Sequence, residues 1–243
     1  MTVKADNGMS HAAAEGRPAL LLQQLFNRLL EQYGHRGWWP AETPFEVCVG
    51  AILTQNTSWS NVEKAIVRLK AAGCLSISGI GSLETTELAD LIRPAGYFRV
   101  KADRLQSFTC FVLQQYQGSL DLLFAEPLPR CRERLLAVRG IGPETADSMV
   151  LYAGGKPSFV VDAYTRRIFS RLGLIQPDIS YEQLRHLFMD ALPSDAALFN
   201  EYHALIVELG KQVCRTAPRC SSCCLADHCM QYLTVSQNYG WKQ

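Results

Sequence analysis

The sequence predicts an all-α protein. Three observations carry that prediction. Apolar residues recur at helical spacing through most of the 243 residues, Gly and Pro fall at the ends of the periodic segments, and no strand-like alternation is convincing. In chain order, "PALLLQQLFNRLLEQYG" places leucines and Phe26 on one face and stops at Gly34. "PFEVCVGAILTQ" reads as an apolar helix of about three turns, and "NVEKAIVRLKAAG" as an amphipathic one ending on Gly73. "SLETTELADLIRPAG" opens on Ser82 as an N-cap, carries acids in its first turn and ends before Pro94. "RVKADRLQSFTCFVLQQYQG" is a long helix, and "PRCRERLLAV" and "PETADSMVLYAGG" flank a Gly-Ile-Gly turn. "AYTRRIFSRLGL", "SYEQLRHLFMDAL" and "AALFNEYHALIVELGKQ" complete the set, and "SFVV" at 158–161 is extended but short.

Composition narrows the function classes. Residues 1–17 read as a flexible polar leader without the charged start and apolar centre of a secretory signal. No apolar run reaches the ~18 residues that span a bilayer, so a cytoplasmic protein is expected. The net charge of +1 does not by itself announce nucleic acid. Between Arg130 and Arg171, however, eight Lys/Arg face four acids, a local excess that fits either a solvated face or a phosphate-binding one. Of nine cysteines, Cys214, Cys220, Cys223, Cys224 and Cys229 lie close together, whereas Cys48, Cys74, Cys110 and Cys131 are scattered as small core residues. A reducing compartment argues against disulfides, so the cluster suggests a metal.

Helix, Gly-x-Gly turn, helix either merely joins two helices or forms a hairpin that grips a phosphate backbone. Gly140 and Gly142 allow a tight turn and close approach of N–H groups. Pro143 opens the second helix, whose N-terminus carries partial positive charge. Arg139 and Thr145 flank the same turn and join it as candidate DNA contacts. Such contacts position a duplex without reading its sequence. Asp162 follows some twenty residues later; it can cap the helix beginning "AYTRRIF", and capping bonds favour an ionised carboxylate.

"VRGIGPETADSMVLYAGGKPSFVVDAYTRRIFSRLGL" resembles the catalytic core of the endonuclease III superfamily of helix-hairpin-helix DNA glycosylases, and "LIRPAGYFRVKADRL" is similar to its helix-connecting segment. The resemblance implies that Asp162 stabilises positive charge on the deoxyribose of an extruded nucleotide and orients the attacking water. Bifunctional members carry a lysine two residues past the second glycine, as a Schiff-base nucleophile. Glu144 stands at that place, so hydrolysis without strand cleavage is expected; Glu144 also suits a helix N-terminus or the edge of a base pocket.

Trp38, Trp39 and Pro40, then "AILTQNTSW" with Trp59, then "FVVDAYT" and "FNEYHALIVELGK", look like the 3-methyladenine branch, the third type. Aromatic faces attract a cationic base by roughly 0.5–2 kcal/mol each. The resemblance makes Trp59 the stacking residue and Gln55 a wedge into the gap left by extrusion; Gln55 and Asn56 can alternatively tie down their loop.

Cys214, Cys220, Cys223 and Cys229 are spaced C-x5-C-x2-C-x5-C. The resemblance, in which Pro218 and Arg219 also fit the family loop, implies a [4Fe–4S] cluster on these four; the superfamily's first gap has six residues, so zinc or an empty site are alternatives, and Cys224 leaves the register ambiguous.

The expected architecture is two helical lobes, 18–39 with 136–234 and 40–135, with a tail over 235–243. The hairpin, Asp162 and the tryptophans are expected to converge on an interlobe cleft. The expected partner is double-stranded DNA containing a damaged base, bound by a monomer, with alkylated purines as substrates. Two alternatives stand beside it: an endonuclease III-like glycosylase and lyase for oxidised or mismatched pyrimidines, and a non-catalytic binder of bent or damaged DNA.

Overall fold

The computed structural model describes residues 12–239, and among these there is helix, turn and irregular chain but no strand. Of the expected leader, residues 1–11 lie outside the described residues, and from Ala12 the chain is already helical. Of the expected tail, residues 240–243 lie outside, and the preceding ones extend a helix.

Two compact units emerge, one formed by the chain up to Trp38 and again from Val161, the other Trp39–Val160. The second unit starts with α2 (Pro44–Leu53), where Thr43 accepts a hydrogen bond from the Glu46 amide and Pro44 occupies the first helical position. It continues through α3 (Trp59–Ala71), α4 (Ile77–Ser82), α5 (Thr85–Leu91), α6 (Phe98–Tyr116), α7 (Leu120–Ala125), α8 (Leu128–Leu136) and α9 (Pro143–Ser148). The last runs directly into a π-helical turn, Met149–Ala153. Ser82 ends α4 instead of opening a helix; the helix expected from Ser82 is α5, which starts at Thr85 with Glu84 at its N-cap. The short α4 has its own start signal, Ser76, whose hydroxyl accepts from the Gly79 amide.

The sequence division placed 136–160 with the N-terminal helix, whereas the structure groups these residues with Trp39–Val160. The reason is packing. Ile141, Ala146, Met149 and Val150 belong to the same apolar core as Cys48, Val49, Ile52 and Leu53. Lys101, 1% exposed, crosses this core from α6 and donates to the carbonyls of Leu53 and Ala95. Burial, with Arg104 nearby, pushes its amine down to about 8.

The other unit is built from α1 (Ala12–Tyr33), α10 (Ala163–Leu172), α11 (Tyr181–Ala191), α12 (Ala196–Gln212) and α13 (Met230–Tyr239). Its core is aromatic. Phe188 meets Phe169 and Tyr202 edge-on at 4.8 and 5.8 Å, and the Tyr202 hydroxyl donates to the Leu22 carbonyl. A buried tyrosine is stable there because its O–H has that partner.

Candidate active site

Asp162 is the N-cap of α10. Its Oδ1 accepts from the Thr165 amide at 2.7 Å and from the Thr165 hydroxyl at 2.9 Å, while Thr165 Oγ1 faces the Asp162 amide in a capping box. Its Oδ2 faces His203 Nε2 of α12 at 3.6 Å. Both side chains are buried, at 12% and 7% exposure. Burial works to raise the carboxyl; His203 first, and then the two Thr165 bonds, outweigh it and hold Asp162 below the usual carboxylate range. The result is an ionised carboxylate fixed at one oxygen, an arrangement able to stabilise a nearby developing cation.

The hairpin lies in the other unit. Gly140 has φ +89°, and a Cβ there would sit 2.3 Å from Arg104 Cγ, so glycine is required on both counts. Gly142 is extended with open space around it and has no such requirement. Gln55 bridges to the hairpin: its Nε2 donates to the Gly140 carbonyl and to the Thr145 hydroxyl, and Arg104 donates to its Oε1. Gln55 therefore ties its loop down in this structure, and buried Thr145 supports it. Asn56, exposed at φ +55°, Arg139 and Glu144 are the outward-facing residues of this region. Glu144 occupies the first turn of α9, where an acid suits the helix dipole.

The tryptophans divide. Trp39 meets Trp59 edge-on, with ring centroids 5.0 Å apart, and meets Tyr152, from the π-helical turn, at the same distance. Trp59 donates from Nε1 to Glu63. Gly50 makes room for both indoles: a Cβ there would lie 3.3 Å from Trp39 Cζ2 and 3.5 Å from Trp59 Cη2. Trp38 belongs to the other unit and lies under Lys211 Nζ, 5.4 Å from the ring centroid. Its loop is held to α12 by Glu201, which accepts from the Arg36 amide, and by Glu208, 3.4 Å from the Arg36 guanidinium. Pro40 is exposed.

Cys214, Cys220, Cys223 and Cys229 line one small cavity of about 30 Å³, partly open to solvent, with Val213, Pro218 and Ala226 around them. Cys224 is not among its lining residues; its carbonyl accepts from Arg28. Burial, and next to it the charge of neighbouring cysteines, pushes Cys223 up to about 11. Among the described residues no group of three His, Cys, Asp or Glu is gathered as a metal ion needs. Four thiols around one cavity nonetheless match the donor set of an iron–sulfur cluster. The loop is held by α10: Arg167 donates to the carbonyls of Cys214 and Gly210, and Arg171 to those of Arg215 and Thr216.

Residues 49–194 match the HhH-GPD superfamily of base excision DNA repair proteins. This chain belongs to that superfamily. A provisionally named DNA repair glycosylase of Methanocaldococcus jannaschii is 44% identical over 211 residues, 86% of this chain and 96% of that protein. Endonuclease III of Thermotoga maritima is 30% identical over 78% of this chain and 84% of its own. Among solved structures, the H. pylori 3-methyladenine DNA glycosylase MagIII bound to 1,N6-ethenoadenine superposes with a TM-score of 0.69 at 32% identity, covering 82% of this chain and 97% of that one. The fold is also that of endonuclease III in a non-covalent DNA complex, with a TM-score of 0.78 at 22% identity, over 90% of this chain and 98% of that one.

Within this HhH-GPD chain, three residues of the sites escaped sequence reasoning. Tyr152 sat unnoticed in an apolar run, and its π-helical turn has no simple periodic signature. His203 is the one imidazole on the largely apolar face of "FNEYHALIVELGK", and Lys211 ends the same segment.

Proposed function

We propose that this HhH-GPD protein is a monofunctional DNA glycosylase that hydrolyses the glycosidic bond of alkylated purines. The observation that carries the reading is Asp162, a carboxylate kept ionised at the start of α10 with no lysine at the hairpin position that Glu144 occupies. A cationic lesion such as 3-methyladenine has an already weakened bond. Stabilising the positive sugar and orienting water then suffices, without an acid to protonate the base. Trp39, Trp59 and Tyr152 supply aromatic faces for the extruded base. The 32% identity to MagIII across nearly all of that chain supports the substrate class. Arg139, Asn56 and Tyr97, which is 73% exposed, offer side chains to the duplex.

The test is a panel of duplexes, each with one lesion, scored for base release with and without strand cleavage. Release of alkylated purine with an intact strand is expected. Cleavage, or a covalent adduct trapped by borohydride, favours instead an endonuclease III-like lyase acting on pyrimidines, a reading that the Thermotoga relative keeps in view.

In the same reading, Cys214, Cys220, Cys223 and Cys229 hold a [4Fe–4S] cluster whose role is structural, bracing the 214–229 loop. Iron and sulfide analysis of Cys223→Ala and Cys224→Ala checks it: the first loses iron and the second keeps it, because only Cys223 of the pair lines the cavity.

A further inference from the structure

α12 is nearly all apolar where it is buried: Phe199, Tyr202, Ala204, Leu205, Ile206 and Val207 share its inner surface with His203. An imidazole in such company is costly unless a polar group faces it. The group that faces it is the Asp162 carboxylate, 3.6 Å from Nε2. The two hydrogen bonds from Thr165 both fall on Oδ1, so the opposite side of the carboxylate, Oδ2, is where His203 stands.

We propose that His203 is a positioning residue for Asp162, holding Oδ2 in place and keeping the carboxylate ionised inside its buried pocket. The inference rests on Asp162 being the carboxylate that acts in base excision. Among the described residues His203, reaching in from α12, is the one titratable group within ion-pair distance of Asp162, and on α10 the partners are the amide and hydroxyl of Thr165. Thr165 alone anchors one oxygen; a carboxylate pinned at one oxygen can still swing its other one, and burial pulls it towards protonation. An imidazole N–H opposite removes both freedoms. The separation in the free protein is longer than a hydrogen bond, and such contacts close up when substrate excludes water.

The experiment is single-turnover base release from methylated duplex DNA across a pH series, corrected for spontaneous depurination, with melting temperatures measured in parallel. His203→Leu is expected to move the acid limb of the profile upward by about one pH unit, a roughly tenfold loss at a fixed acid pH relative to its own neutral plateau. His203→Gln, whose amide N–H has a similar reach, is expected to bring the limb back. His203→Asn, whose amide falls short, is expected to shift it as Leu does, which covers the case in which His203→Leu folds poorly. A merely packed histidine would lower the plateau or the melting temperature and leave the limb where it was; an unmoved limb in the Leu and Asn variants overturns the proposal. Asp162→Asn separates the two levels. If it is inactive while the limb stays put, the role of His203 alone is wrong. If it releases base at the wild-type rate, the assignment of Asp162 is wrong, and this proposal falls with it.

Discussion

Asp147 and Asp162 are both buried carboxylates at helices, fifteen residues apart in the chain, and they are held in opposite ways. Asp147, fully buried, is clasped at both oxygens: Arg132 donates from Nε to Oδ1 and from Nη2 to Oδ2, and the Ser158 hydroxyl donates to Oδ1. Asp162 is bonded through Oδ1 alone, with His203 set back from the other oxygen. A guanidinium fork satisfies a carboxylate and locks two elements together. At Asp162 the hydrogen bonds fall on one oxygen, and an imidazole stands 3.6 Å from the other. Two buried carboxylates of one molecule thus differ in how their lone pairs are shared.

Removing Arg132 probes the locked side and carries the largest expected effect. Arg132→Ala strands a buried charge, so stability should fall by about 3–5 kcal/mol in urea denaturation, while base release per folded molecule is retained. Equal loss of chemistry in the folded fraction would mean that Asp147 also acts in catalysis. On the other side, Asp162→Asn should slow base release by about 10²–10³-fold, taking electrostatic stabilisation as the guide, with the fold intact.

The two acids should also part in acid. Asp162 has a folded pKa below its unfolded one, so its ionised form favours folding above the unfolded value, and that contribution is lost as pH falls through the folded value. The difference in melting temperature between wild type and Asp162→Asn should therefore shift steadily against the wild type as the pH is lowered past about 4. A pH-independent difference would show that the carboxylate is not held ionised.

Gly140→Ala should cost about 1–3 kcal/mol through its left-handed backbone and the nearby Arg104, and should weaken DNA binding, whereas Gly142→Ala should do little. The smallest effect is expected at the aromatic cluster. Trp59→Ala should weaken binding of a lesion duplex by roughly 0.5–2 kcal/mol, read by competition against undamaged DNA.

Local chemistry was legible in the sequence; long-range pairing was not. The Asp162 cap follows from an aspartate just before "AYT", and the cysteine loop follows from spacing. Gln55 could not be placed, because its partners, Gly140 and Thr145, lie more than eighty residues away. The arginine-rich stretch misled for a related reason. Arg132 clasps Asp147, Arg166 donates to the Ile179 carbonyl, and Arg167 and Arg171 hold the cysteine loop, so half of those eight cations serve the interior rather than a phosphate surface. Counting charge cannot distinguish a guanidinium facing solvent from one facing a carbonyl. The unit boundary shifted because hairpin residues such as Met149 and Val150 are apolar enough to join a core formed by α2 a hundred residues earlier.

Gly50 lets Trp39 and Trp59 approach the backbone of α2 closely. Where Trp39 and Trp59 close on it, the bare backbone leaves slightly less room than a methyl group needs. An alanine at that position would press on the indole rings, its Cβ 3.3 Å from Trp39 and 3.5 Å from Trp59. On the proposed reading of these rings as the platform for the base, one substitution at Gly50 would retune fit while Asp162 itself stays unchanged.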